Sequence, residues 1–129
     1  MIKWMAVFLI LTFLPSISFG QAEIIVLNGI PLVQAKCSIE DCKHFTLSES
    51  QQLESRVLIT KKDNKYLWAS RGNRELSKSQ SGMVTIFTEN RGAGYIRIVK
   101  AGDKILYTEH MGLALETISY WGTANDFSP

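Results

Sequence analysis

The sequence predicts one small all-β domain, an antiparallel β-sandwich or barrel of about eight short strands with at most one short helix. Three observations predict it. Short runs of β-branched and aromatic residues recur at near-regular spacing. Glycine- and asparagine-containing turns separate them. No segment of helical period is long enough to cover a parallel sheet.

The elements follow in order. Glu23 to Leu27 reads as a strand, Asn28-Gly29 as a turn pair, and Leu32 to Lys36 as the return strand. Cys37 to Cys42 is a polar loop and His44 to Leu47 a further short strand. Ser48 to Ser55 is the one helical stretch, with Ser48 and Gln51 spaced as a capping box and Glu49 in the first turn. Val57 to Lys61 and Tyr66 to Ser70 form a hairpin around Lys62–Lys65. Arg71 to Gly82 reads as a polar connector. Met83 to Thr88, Tyr95 to Lys100, Lys104 to Glu109 and Leu115 to Trp121 are strands. Gly122 to Pro129 reads as a frayed polar tail.

Residues 1–20 stand apart from this pattern. Lys3 supplies a positive charge, Trp4 to Leu14 form an apolar run, and Pro15 precedes the small-residue stretch ending at Gly20. That is the layout of a secretory signal peptide. Eleven residues of helix rise roughly 16 Å, too short for roughly 30 Å of hydrocarbon. Cleavage is therefore expected before Gln21, or alternatively before Glu23, leaving 21–129 as the domain with no stable membrane insertion. The expected destination is the periplasm or the medium of a bacterium.

The chain holds 14 Lys and Arg against 12 Asp and Glu. Loss of Lys3 leaves 13 against 12, a net charge of +1 without a long run of one sign. Nucleic-acid binding needs clustered basic charge and is not expected. Export puts Cys37 and Cys42 in an oxidising compartment, where a disulfide is the default. The ring is short, so its chain-entropy contribution is about 2 kcal/mol.

Several residues offer chemistry. Cys37, Cys42 and His44, with His110 as a fourth group, are a ligand set for zinc or copper(I), but the spacing is not that of common zinc sites. The disulfide reading is preferred, and neither a metal nor a cofactor is expected. Glu109 and His110 invite an acid–base reading, yet neighbours on a strand face opposite ways. Gly92 and Gly94 lack the Lys-Ser/Thr ending and the helix of a phosphate loop. Tyr66 and Trp68 share one strand face, as core or as a platform for a sugar or peptide, and Arg71, Arg74 and Arg97 are its candidate hydrogen-bond donors. Tyr120 and Trp121 take opposite faces, so one packs inside.

Three functional classes remain. The first is a non-catalytic binding module for an envelope protein or glycan, with Tyr66, Trp68, Arg71 and Arg97 as candidate binding residues. The second is a small hydrolase or metal-dependent enzyme built on His110 or His44. The third is an inhibitor of a secreted enzyme, which needs a protruding loop such as 71–82 or 89–94. Ser81-Gly82, Phe87 and the stretch Tyr95 to Tyr107 resemble the small exported β-barrel inhibitors of C-type lysozyme. The likeness covers about a third of the chain and implies a barrel. It departs from that family in its cysteines, which here close a local loop, so no functional residue is carried over.

Overall fold

The computed structural model describes residues 22–129; the expected signal segment, residues 1–20, lies outside them. The domain is a closed barrel of eight antiparallel strands with one additional strand. The strands are β1 (Ile24–Cys37), β2 (Cys42–Thr46), β3 (Val57–Lys62), β4 (Lys65–Trp68), β5 (Arg74–Ser81), β6 (Val84–Glu89), β7 (Gly94–Ala101), β8 (Lys104–Leu113) and β9 (Glu116–Phe127). Each of β3 to β8 pairs with the next in sequence, and β1 closes the ring by pairing with both β3 and β9. The short β2 folds back on the end of β1 and stands outside the ring. Of the two architectures the sequence allows, the molecule takes the barrel. An eight-stranded ring encloses just enough space for side chains to fill.

Helix α1 (Glu49–Glu54) has the expected capping box: the Ser48 hydroxyl accepts from the Gln51 amide, and the Gln51 side chain accepts from the Ser48 amide. The β3–β4 hairpin turns at Asp63 and Asn64, both with positive φ, as the twist of a two-residue hairpin requires. Alternation then decides the interior. Leu27, Val57, Ile59, Trp68, Leu76, Phe87, Ile96, Ile98, Ile105, Tyr107 and Phe127 form the packed core. The intervening positions on β5 to β9 point outward with hydroxyls, cations, the carboxylate of Glu75 on β5 and apolar groups that include Val84, Ile86, Val99 and Leu106. Among the described residues no helix is long and apolar enough to cross a membrane.

Three elements differ from the sequence reading, each for a physical reason. Asn28-Gly29 is not a turn, because β1 runs unbroken through it. Gly29 is there because Tyr107 and Val57 crowd it: a Cβ would come within 2.4 Å of Tyr107 Cε1 and 2.6 Å of Val57 Cγ1. Residues 71–82 are not a loose connector. A 3-10 turn (Ala69–Arg71) leads into β5, whose one buried apolar side chain is Leu76. The expected tail from Gly122 is mostly strand, since β9 continues to Phe127, whose ring is buried edge-on to Phe87.

Candidate functional site

Two places gather chemistry-bearing side chains: the end of the barrel where β4 stops, and the outer wall of β6 to β9.

At the barrel end, Glu109 of β8 points inward and is fully buried. The Trp68 indole N–H donates to its Oε2 at 2.7 Å, and the Arg71 guanidinium donates to its Oε1 at 2.7 Å. Arg71 reaches over the opening from the 3-10 turn. It also donates to the Ser55 carbonyl at 3.3 Å and lies over the Tyr120 ring. Burial pushes the Glu109 carboxyl above the usual carboxylate range, and the charge and hydrogen bonds of Arg71 oppose that rise. Tyr107, buried beside it, is also pushed up, first by desolvation and then by the negative charge of Glu109. The arrangement is a plug that satisfies one buried carboxylate across the barrel end, beside a hollow of about 200 Å³ lined by Trp68, Arg71, Arg74 and Met111.

The neighbouring rim is equally self-contained. Glu89 accepts from the Arg91 amide at 2.8 Å and the Ala93 amide at 2.9 Å, with Arg74 3.9 Å away. The Ala93 hydrogen bond is the largest of the effects that hold its carboxyl below the usual range. Segment 89–94, one of the two loops an inhibitor would project, is thereby cinched into a tight turn. The other, 71–82, is largely strand.

The outer wall is built by register. Three rows of side chains cross it, each directly paired from strand to strand. The first is Val84–Val99–Leu106–Thr123. The second is Ile86–Arg97–Thr108–Trp121, continuing to Val33 and Thr46. The third is Thr88–Tyr95–His110–Ser119, continuing to Ala35 and His44. No position in the three rows is acidic. Trp121 is 40 % exposed, Tyr95 39 % and Leu106 57 %. Arg97 has no ion-pair partner among the described residues. Arg97, Val99, Leu106, Thr108 and Trp121 ring a shallow depression of about 280 Å³ over Gly122.

The candidate residues therefore divide. Tyr66 and Trp68 do share a face, and it is the inner one: Trp68 is in the core, and Tyr66 packs on Phe87 with Lys61 and Lys78 over its ring. Arg71 joins Trp68 through Glu109, whereas Arg97 stands on the outer wall with Trp121. Tyr120 is buried and Trp121 exposed. Sequence reasoning missed Glu109 as the anchor of the plug and Leu106 and Thr108 as wall residues. The signal for the latter lay in strand alternation, since Leu106, Thr108 and His110 share the face opposite to Ile105, Tyr107 and Glu109.

The cysteine-based ligand set loses its thiols, and Glu109 and His110 are split between two faces. Cys37 and Cys42 form a disulfide at the tip of the β1–β2 hairpin, so neither thiol is free to ligate. Three strand spacings, about 14 Å, separate His44 from His110 in their row. Among the described residues no group of three or more His, Cys, Asp or Glu is arranged to hold a metal ion. His110 Nδ1 lies 2.7 Å from Ser119 Oγ, and its ring stacks on Tyr95. Glu109 points away from it into the barrel. No row of the wall supplies an acid to orient that imidazole, as nucleophilic catalysis by a serine requires. No family model, no curated protein and no solved structure matches the chain.

Proposed function

We propose that this chain is an exported, non-catalytic binding module, and that the outer wall of β6 to β9 is its recognition face for a protein or glycan of the cell envelope. One observation carries the reading: the part-exposed rings of Trp121 and Tyr95 flank Arg97, which has no ion-pair partner among the described residues, in rows that hold no carboxylate. Part-exposed aromatics beside a guanidinium are the usual makings of a contact surface. Core side chains fill the interior, and Arg71, bonded to Glu109, lies across its end beside a smaller hollow of about 200 Å³.

Export enters the proposal through residues 1–20, whose layout is that of a cleaved signal, and the Cys37–Cys42 disulfide is weakly consistent with it. Mass spectrometry of the native protein is expected to find a chain beginning at Gln21; a chain still beginning at Met1 refutes the export half.

For the binding half, immobilised protein is incubated with detergent-solubilised envelope and with purified envelope glycan. Trp121→Ala and Arg97→Ala are expected to abolish retention, while Arg74→Ala at the rim leaves it intact. Retention that survives both wall substitutions overturns the assignment of the face.

A further inference from the structure

We propose that the depression between Arg97 and Trp121 binds an acidic saccharide, with the pyranose ring stacked on the Trp121 indole and its carboxylate held by the Arg97 guanidinium. This rests on the reading of the outer wall as the recognition face.

Three features of the wall select this ligand. The first is spacing. Arg97, Thr108 and Trp121 are direct cross-strand neighbours, so the Cα atoms of Arg97 and Trp121 lie two strand spacings apart, about 10 Å. One six-membered ring with its substituents fits between such side chains, and the Thr108 hydroxyl lies midway as a hydrogen-bonding partner. The second is charge. Arg97 is free of carboxylate partners among the described residues and its rows hold no acid, so an incoming carboxylate meets a bidentate donor and no like charge. The third is texture. Next to Trp121 the wall carries hydroxyls, Thr108 across the strand pair and Ser119 and Thr123 along β9, while the aliphatic side chains Val84, Ile86, Val99 and Leu106 lie together beside them on β6 to β8. A sugar presents an apolar ring face with hydroxyls at its edge, which suits an indole bordered by hydroxyls. Tyr95, stacked on His110 in the next row, offers a second ring surface about 7 Å along the strand from Arg97, a step suited to a linked second sugar.

Two sources supply this chemistry: a muramic-acid unit, whose carboxylate sits on its lactyl group, and a uronic-acid unit. Isothermal titration of the folded protein with a muramyl disaccharide, a uronate oligosaccharide and the neutral N-acetylglucosamine dimer separates them. At least one acidic ligand is expected to bind about tenfold or more tightly than the neutral one, the gap narrowing as salt is raised. Arg97→Gln is expected to erase that preference. Trp121→Ala is expected to remove all saccharide binding, with Arg74→Gln behaving as wild type. Equal affinity for neutral and acidic sugars, an unchanged preference in Arg97→Gln, or no saccharide binding at all overturns the proposal. If saccharides fail but the wall substitutions still abolish retention of an envelope protein, the ligand class falls alone and the recognition face stands. If the wall substitutions change neither, both fall.

Discussion

Arg71→Ala isolates the plug at the barrel end. The guanidinium is 19 % exposed and its partner Glu109 is wholly buried, so the substitution strands a carboxylate in the interior with the Trp68 indole as its one remaining side-chain donor. Removing one member of a buried ion pair costs about 3–5 kcal/mol. A domain of this size has roughly 5–15 kcal/mol in total, so the variant folds with much of its margin gone. The penalty depends on pH with a definite sign. The Glu109 carboxyl is already raised above its usual 4.5 by burial, and loss of the Arg71 charge raises it further. For an acid whose folded value lies above its unfolded value, stability is full below the unfolded value and falls as pH rises towards the folded one. Urea unfolding followed by tryptophan fluorescence is therefore expected to show a small deficit near pH 4, about 1 kcal/mol from the lost Ser55 and Tyr120 contacts. The deficit is expected to grow to about 3–5 kcal/mol by neutral pH. Arg71→Ala combined with Glu109→Gln removes the stranded charge and is expected to recover most of the neutral-pH loss. A deficit below about 1 kcal/mol at neutral pH, or one independent of pH, refutes the account of the plug.

Three other substitutions probe separate parts of the fold. Gly29→Ala drives a methyl into the Tyr107 ring and Val57, and differential scanning calorimetry is expected to register an overpacking loss of about 1–3 kcal/mol; a neutral result means β1 shifts to make room. Glu89→Gln tests the rim turn. Because the Glu89 carboxyl is held below its usual range, it stabilises above that range and the benefit is lost as pH falls through its folded value. The variant's acid-unfolding curve is expected to lose that part of its slope, and an unchanged acid limb contradicts the turn's role. Cys37→Ser with Cys42→Ser removes a ring closed across adjacent strands; circular dichroism is expected to find the barrel intact, with a chemical-unfolding loss of about 2 kcal/mol. Collapse of the fold would mean the hairpin supports the barrel, against the position of β2 outside the ring.

Much of the barrel was legible because its hairpins are local. From Arg56 onward, turns such as Asp63-Asn64 and Gly102-Asp103 mark where strands reverse, and each strand pairs with the next. Alternation put Tyr66 with Trp68 and separated Tyr120 from Trp121 before any register was known. What escaped depended on distant contacts. Gly29 reads as a turn residue until the Tyr107 ring, far along the chain, is seen to occupy the space of its side chain. β5 is nearly all polar, so propensity cannot separate it from a loop, and cross-strand pairing with β4 and β6 decides it. Burial of Glu109 was hidden because a charged residue is ordinarily assigned outward, and its partners Trp68 and Arg71 lie 41 and 38 residues away. The wall had the same difficulty: Arg97 and Trp121 become neighbours through β8.

On the proposed reading, recognition occurs on the outer wall and not at the barrel end beside Arg71. Chemical-shift mapping of isotope-labelled protein during titration with the muramyl disaccharide and the uronate oligosaccharide tests it most directly. Perturbations are expected at the Trp121 indole N–H, Arg97, Thr108 and Tyr95, with the Trp68 indole N–H unmoved in its hydrogen bond to Glu109. Shifts concentrated at Trp68, Arg71 and Met111, with Trp121 unchanged, would contradict it.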